Sequence, residues 1–185
     1  MSKEVLIKHE LKHGWVSLER ERLADKTLLH FNVELDTKYP AGVIFEQLIL
    51  GLTDSEKSWL WPTEYESSPR PPEGGVHENC ISYMTYRVPR FDKPEIPAKP
   101  VTYSYKLAQY KPQQYLFEYQ SIDHPLRGGA TVRVVPLSEE TSRILWNGAY
   151  QQDQEQQIVV NSMVQYIPLL YDRFEELIEA GPCNK

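Results

Sequence analysis

The sequence predicts an α+β domain: an antiparallel sheet covered on one face by a long C-terminal helix, with two short helices after the first core strand. Three observations predict it. Thr27 to Leu35 alternates, with Leu29, Phe31, Val33 and Leu35 opposed to His30, Asn32 and Glu34, which is the period of a half-buried strand. From Val76 to Tyr150, five segments rich in Tyr, Val, Ile and Thr follow one another with only turn residues between them. After Gln151 the apolar period lengthens, and Val159, Met163, Tyr166, Leu170, Phe174 and Leu177 recur at helical steps of three or four.

The elements follow in order. Val5 to His13 fits a strand or a helix, and Trp15 to Leu23 reads as a strand hairpinned onto Thr27 to Leu35 through Ala24-Asp25-Lys26. Residues 1–26 are therefore expected to be an N-terminal extension packed on a domain of residues 27–181. The break Asp36-Thr37-Lys38-Tyr39-Pro40 starts a short helix over Val43 to Leu52, since proline is tolerated in a first helical turn. Asp54 to Leu60 gives a second helix or turn, ended by Trp61-Pro62 because the residue before proline avoids helical angles. Four prolines and two glycines make Pro62 to Gly75 an exposed loop.

The later strands are His77 to Val88, Val101 to Tyr110, Gln114 to Ser121, Gly129 to Val135 and Ser142 to Tyr150. Their connections hold prolines and glycines and are too short for helices, so an antiparallel meander is the economical topology. The final helix is expected from about Gln154 to Ala180, with Asp153 at its start, a kink at Pro168 and a stop at Gly181-Pro182.

Composition bounds the function. With 185 residues the chain is one domain rather than two. A net charge of -6 repels a phosphate backbone, which argues against nucleic acid as a partner. Twelve Tyr, five Phe and four Trp exclude a disordered body. No apolar run approaches the roughly 20 residues that span a bilayer, so no stable membrane insertion is expected, and no secretory signal is visible. Cys80 and Cys183 alone cannot build a disulfide framework, which points to a reducing cytoplasm.

The strand and helix Leu28-Leu29-His30-Phe31-Asn32-Val33-Glu34-Leu35-Asp36 through Val43-Ile44-Phe45-Glu46-Gln47-Leu48, then Trp59-Leu60-Trp61-Pro62, open a recognisable order. The pair Gly129 to Val135 and Thr141 to Gly148 and the closing helix complete it. This order resembles the helix-grip fold of the START-like (SRPBCC) superfamily, with its Bet v 1-like and polyketide cyclase-like members. The likeness covers roughly residues 27 to 180; the first 25 residues and the long Pro-rich stretch from Val88 to Pro100 depart from it. It implies a curved sheet gripping the helix, and between them a cavity for an apolar, lipid-like or aromatic small molecule. It does not choose among carriers, receptors and enzymes.

Rings at alternate strand positions are the candidates for that cavity: Tyr103 and Tyr105, then Tyr115, Phe117 and Tyr119, then Trp146. Ile144 and Tyr150 share the last strand's pattern. Trp59 and Trp61, beside the helix turn, are lid candidates, and Met163 and Tyr166 lie on the inward stripe of the last helix. Each could instead be ordinary core. His77 and Cys80 lack a second ligand pair, so neither a metal nor any cofactor is expected. Asp123-His124 reads as solvated loop, and no nucleophile elbow, Walker loop or dinucleotide fingerprint is present.

The favoured function is binding of a small hydrophobic or aromatic molecule. An aromatase/cyclase-type enzyme acting on a polyketide-like substrate is the alternative; it would need a charged group in the cavity, for which only Arg87, Arg133, Arg143 and His30 come forward. A third reading is a cavity-less interaction module built on the Pro-rich loops. Nothing sets the oligomeric state, and a homodimer is compatible with the sequence.

Overall fold

The computed structural model describes residues 2–93, 95–152 and 156–182. The strands are β1 (Ser2–Leu11), β2 (Gly14–Arg22), β3 (Thr27–Thr37), β4 (Glu66–Ser67), β5 (Ile81–Tyr86), β6 (Val101–Lys111), β7 (Leu116–Ser121), β8 (Arg127–Pro136) and β9 (Ser142–Gln152). They form one curved antiparallel sheet in the order β1-β2-β3-β9-β8-β7-β6-β5-β4. Two meanders thus meet where β3 pairs with β9, in register from Thr27 opposite Gln152 to Thr37 opposite Ser142. Irregularities in the ladder between Val5 and Ile7 and between Leu107 and Gln109 add local bend and twist.

The alternation in β3 works as its sequence demands: Leu29, Phe31, Val33 and Leu35 are buried while His30, Asn32 and Glu34 lie on the other face. Helix α1 (Ala41–Thr53) follows, and a 3-10 turn at Ser55–Lys57 comes after it. The Ser142 hydroxyl donates to the Tyr39 carbonyl at 2.9 Å and lies 3.0 Å from Thr37 Oγ1, pinning the strand-to-helix corner onto β9. Helix α2 (Gln157–Ala180) lays Val160, Ile167, Leu170, Tyr171, Phe174, Leu177 and Ile178 into the concave face. It runs on through Pro168.

Three segments sharpen or correct the expectation. Val5 to His13, open between strand and helix, contributes β1, and the β1–β2 hairpin is clamped to α2. The Glu175 carboxylate accepts the backbone N–H groups of Lys12 and His13 at 2.8 and 2.7 Å. The stretch Pro62 to Gly75 is not wholly loop, because Glu66 and Ser67 pair with Tyr86 and Thr85 as the edge strand β4. The strand expected over His77 to Val88 runs only from Ile81 to Tyr86, preceded by Asn79 in the left-handed conformation at φ 68°. The proposed start of the last helix near Asp153 and the cysteine at position 183 lie outside the described residues.

Among the described residues no helix is long and apolar enough to cross a membrane.

Candidate functional site

Between the concave sheet and the N-terminal half of α2 lies a cavity of about 300 Å³. Strand alternation aims the rings that line it: Tyr103 and Tyr105 from β6, Tyr119 from β7, Trp146 and Tyr150 from β9 and Tyr86 from β5. Gly148, between Trp146 and Tyr150, leaves room for the second ring, since a Cβ there would press on Tyr150 at 2.8 Å. Helix α2 adds Met163, Tyr166 and Tyr171 at helical spacing. Ile158, 78% exposed, Val101, 42% exposed, and the exposed Lys99 mark where the cavity meets solvent.

The polar atoms of this wall are arranged in pairs. The hydroxyls of Tyr86 and Tyr105 lie 2.7 Å apart, and those of Tyr119 and Tyr150 lie 3.3 Å apart. The Trp146 indole N–H donates to the Tyr119 hydroxyl at 3.0 Å, whereas the buried Trp61 Nε1 has no partner among the described residues. The Tyr166 hydroxyl donates to Glu66 Oε1 at 3.0 Å. Burial pushes the Glu66 carboxyl up to about 7, a rise the Tyr166 hydrogen bond only partly offsets. Burial likewise raises Tyr86, Tyr105, Tyr119 and Tyr171 well above the usual phenol value and Tyr150 to about 12. The cavity therefore presents neutral hydroxyls at neutral pH and one acid poised to gain or lose a proton.

His124 is the second titratable group that sequence reading misplaced. Asp123 Oδ1 accepts the Ser104 N–H at 2.6 Å and so folds the β7–β8 loop back against β6. His124 is carried into the cavity wall, edge-on to Tyr103 at 4.5 Å between ring centres, rather than out into solvent. Its Nδ1 lies 3.0 Å from the Leu126 backbone nitrogen and 3.3 Å from the Leu126 carbonyl oxygen, which ties the ring to its own loop. Burial pushes this imidazole below its usual value, which keeps it neutral.

Of the sequence candidates, Trp61, Tyr103, Tyr105, Tyr119, Trp146, Met163 and Tyr166 are brought together around the cavity. Trp61 is wall rather than lid: it is 2% exposed, edge-on to Phe174 at 6.0 Å. Three candidates lie elsewhere. Trp59 is held by its backbone N–H to Gln47 Oε1 at 2.9 Å and packs its ring edge-on to Tyr39. Tyr115 takes φ 49° just before β7 and turns its ring onto Phe45 and Gly42. Phe117 points to the same face as Tyr119, but α1 covers that end of the sheet, and Phe117 is fully buried against Phe45.

The four charged candidates also fall outside the cavity lining. His30 Nε2 sits 2.7 Å from Glu21 Oε2, Arg143 is paired with Asp36 and Glu34, Arg87 donates to Ser67 Oγ and Arg133 is exposed. The residues missed were Glu66, Tyr86, His124 and Tyr171. Tyr86 and Tyr171 carried the strand and helix periods and could have been read from them; Glu66 and His124 sit in irregular segments where no period exists. Among the described residues no three His, Cys, Asp or Glu side chains converge as metal ligands. His77 Nδ1 lies 2.9 Å from the Glu78 carbonyl oxygen, and Cys80 is buried in the core.

A curved antiparallel sheet closed over one long helix, with a cavity between them, is the helix-grip fold. No family model matches the sequence, and no curated protein matches it. Solved structures do match the fold. The Zhui aromatase/cyclase from Streptomyces sp. R1128 superposes with a TM-score of 0.57 at 10% identity, over 84% of this chain and 97% of that one. Norcoclaurine synthase from Thalictrum flavum, solved in complex with dopamine and hydroxybenzaldehyde, gives a TM-score of 0.57 at 19% identity, over 88% and 95% of the two chains. Both are Bet v 1-like (SRPBCC) proteins, the superfamily that the element order resembles. At these identities the likeness is one of fold.

Proposed function

We propose that this chain binds a small aromatic molecule in the cavity between sheet and helix. The observation that carries the reading is the wall itself. A cavity of about 300 Å³ is walled mainly by aromatic and aliphatic side chains, with a few hydroxyls converging on it. That size and mixture suit a small ligand whose rings stack on tyrosine and whose polar substituents are oriented by hydroxyls. The solved structures of this fold support the reading, since one holds two small aromatic compounds. Native mass spectrometry of the purified chain, followed by titration with an environment-sensitive aromatic dye, tests it. A retained small molecule, or saturable dye binding that such a molecule displaces, is expected; a chain that neither retains a ligand nor binds the dye would refute the reading.

A second reading, catalysis of the cyclase kind on a polyketide-like substrate, is favoured by Glu66. An enzyme needs a titrating group against its substrate, and here a carboxyl lies in the cavity wall with a Tyr166 hydroxyl on one oxygen. Formation of a cyclised product from a poly-carbonyl chain, lost on Glu66→Gln, is the measurement that would put this reading ahead of simple binding.

A further inference from the structure

We propose that the ligand of this cavity carries an ammonium group, which docks on the Glu66 carboxylate within a ring of tyrosines. The inference rests on the aromatic-ligand reading above and names the chemistry of one end of the ligand. Its starting point is a charge without a partner. The Glu66 side chain takes part in none of the ion pairs formed among the described residues, and its hydrogen-bond partner is the neutral Tyr166 hydroxyl. An ionised carboxylate in such a place is unfavourable until a cation reaches it.

The surroundings suit an organic cation. The groups that act on Glu66 or are acted on by it come from every side: Tyr86 on β5, Tyr105 on β6, Tyr150 on β9, and Tyr166 and Tyr171 on α2. Tyr65 beside it stands edge-on to Tyr166 at 6.0 Å between ring centres. Burial raises the first five phenols above their usual value, so they stay neutral. Their π faces attract an ammonium, and their hydroxyls can accept its N–H groups. The remaining titratable groups of the cavity are Tyr103 and Tyr119, both raised above the usual phenol value by burial, His124, lowered by burial, and Lys99, exposed at the mouth. No arginine lines the cavity among the described residues. An anionic ligand head would meet an ionised Glu66 with repulsion, and a neutral one would offer its carboxylate no counter-charge. An ammonium at one end and an aromatic body at the other match both features of the site.

The test uses three probes of similar size: 2-phenylethylamine, benzyltrimethylammonium and the neutral 2-phenylethanol, titrated calorimetrically into the whole chain from pH 5.5 to 8.5. Both cations are expected to gain affinity as pH rises and Glu66 ionises, approaching tenfold per unit in the acid range and levelling off in the alkaline range. The alcohol is expected to show no such rise. Glu66→Gln should abolish the rise and weaken both cations at least tenfold at pH 8, leaving the alcohol as it was. Tyr166→Phe removes the hydroxyl that favours the carboxylate, so it should keep the cation preference and move the rise to higher pH. That displacement would not come from a merely structural change.

Equal affinity for amine and alcohol in the unaltered chain overturns the proposal, and so does a pH rise that persists in Glu66→Gln, which would assign it to His124. If the alcohol binds and the cations do not, the amine inference falls while the aromatic cavity stands. If none of the three binds, both fall together.

Discussion

The Trp61 ring lies directly on the Cα of Gly51: a Cβ at that helix position would overlap the indole. This contact seats Trp61 between α1 and the cavity, where it also meets Trp146 at 6.3 Å between ring centres. A glycine in a helix interior costs stability, so the close approach is the reason to have it there. Gly51→Ala should destabilise the chain by about 1 to 3 kcal/mol through overpacking, although alanine is the better helix former. Denaturant unfolding measures the loss, and a dye bound in the cavity should report the displaced indole. An unchanged or raised stability would show that Trp61 is free to move.

Glu66 ties stability to pH, and the sign follows from the direction of its shift. Its folded value of about 7 stands above the ordinary 4.5, so the folded state holds the proton more tightly. The stabilisation is full below the unfolded value and is lost as pH rises through the folded one. Glu66→Gln, which stays neutral, should therefore gain on the unaltered chain by about 2 to 3 kcal/mol between pH 5 and pH 8. Paired urea titrations at the two pH values give the difference; no change between them would mean the carboxyl is solvated.

Phe117 and Met163 separate core from cavity. Phe117 is fully buried under α1, and its truncation to alanine should cost about 3 to 5 kcal/mol. Met163 borders space that is already open, so Met163→Ala should cost less than the usual 2 to 5 kcal/mol for such a truncation. Dye affinity should respond in the opposite order, changing with Met163 and not with Phe117. Equal stability losses at the two sites would argue that the wall of the cavity is closed core.

Glu175 holds the N-terminal hairpin to α2 through two backbone N–H groups. Glu175→Ala leaves both donors without their carboxylate, at a cost of about 2 to 3 kcal/mol. Hydrogen exchange at Lys12 and His13 should accelerate strongly while exchange in β9 changes little. Protection that survives at those two amides would mean the hairpin turn is held by something else.

What the sequence determined by itself is the set of elements and the face each one buries. Leu29, Phe31, Val33 and Leu35 must share a side, and Tyr103 must share one with Tyr105, because the side-chain period of a strand is two. Leu170, Phe174 and Leu177 must share a stripe because that of a helix is near four. These local rules, with the order of the elements, were enough for the fold and for most of the rings in the cavity wall. They could not say how far along the sheet each helix reaches. Phe117 and Tyr119 obey the same alternation, and only the position of α1 makes one of them core and the other a wall of the cavity. Nor could they place Glu66 and His124. Both sit in segments without a period, and each is brought inward by a contact remote in sequence: β4 pairing with β5, and Asp123 capping the Ser104 amide. Whether a carboxyl is an ordinary surface charge or an acid held near neutrality is decided by what surrounds it, and that is set by tertiary packing alone.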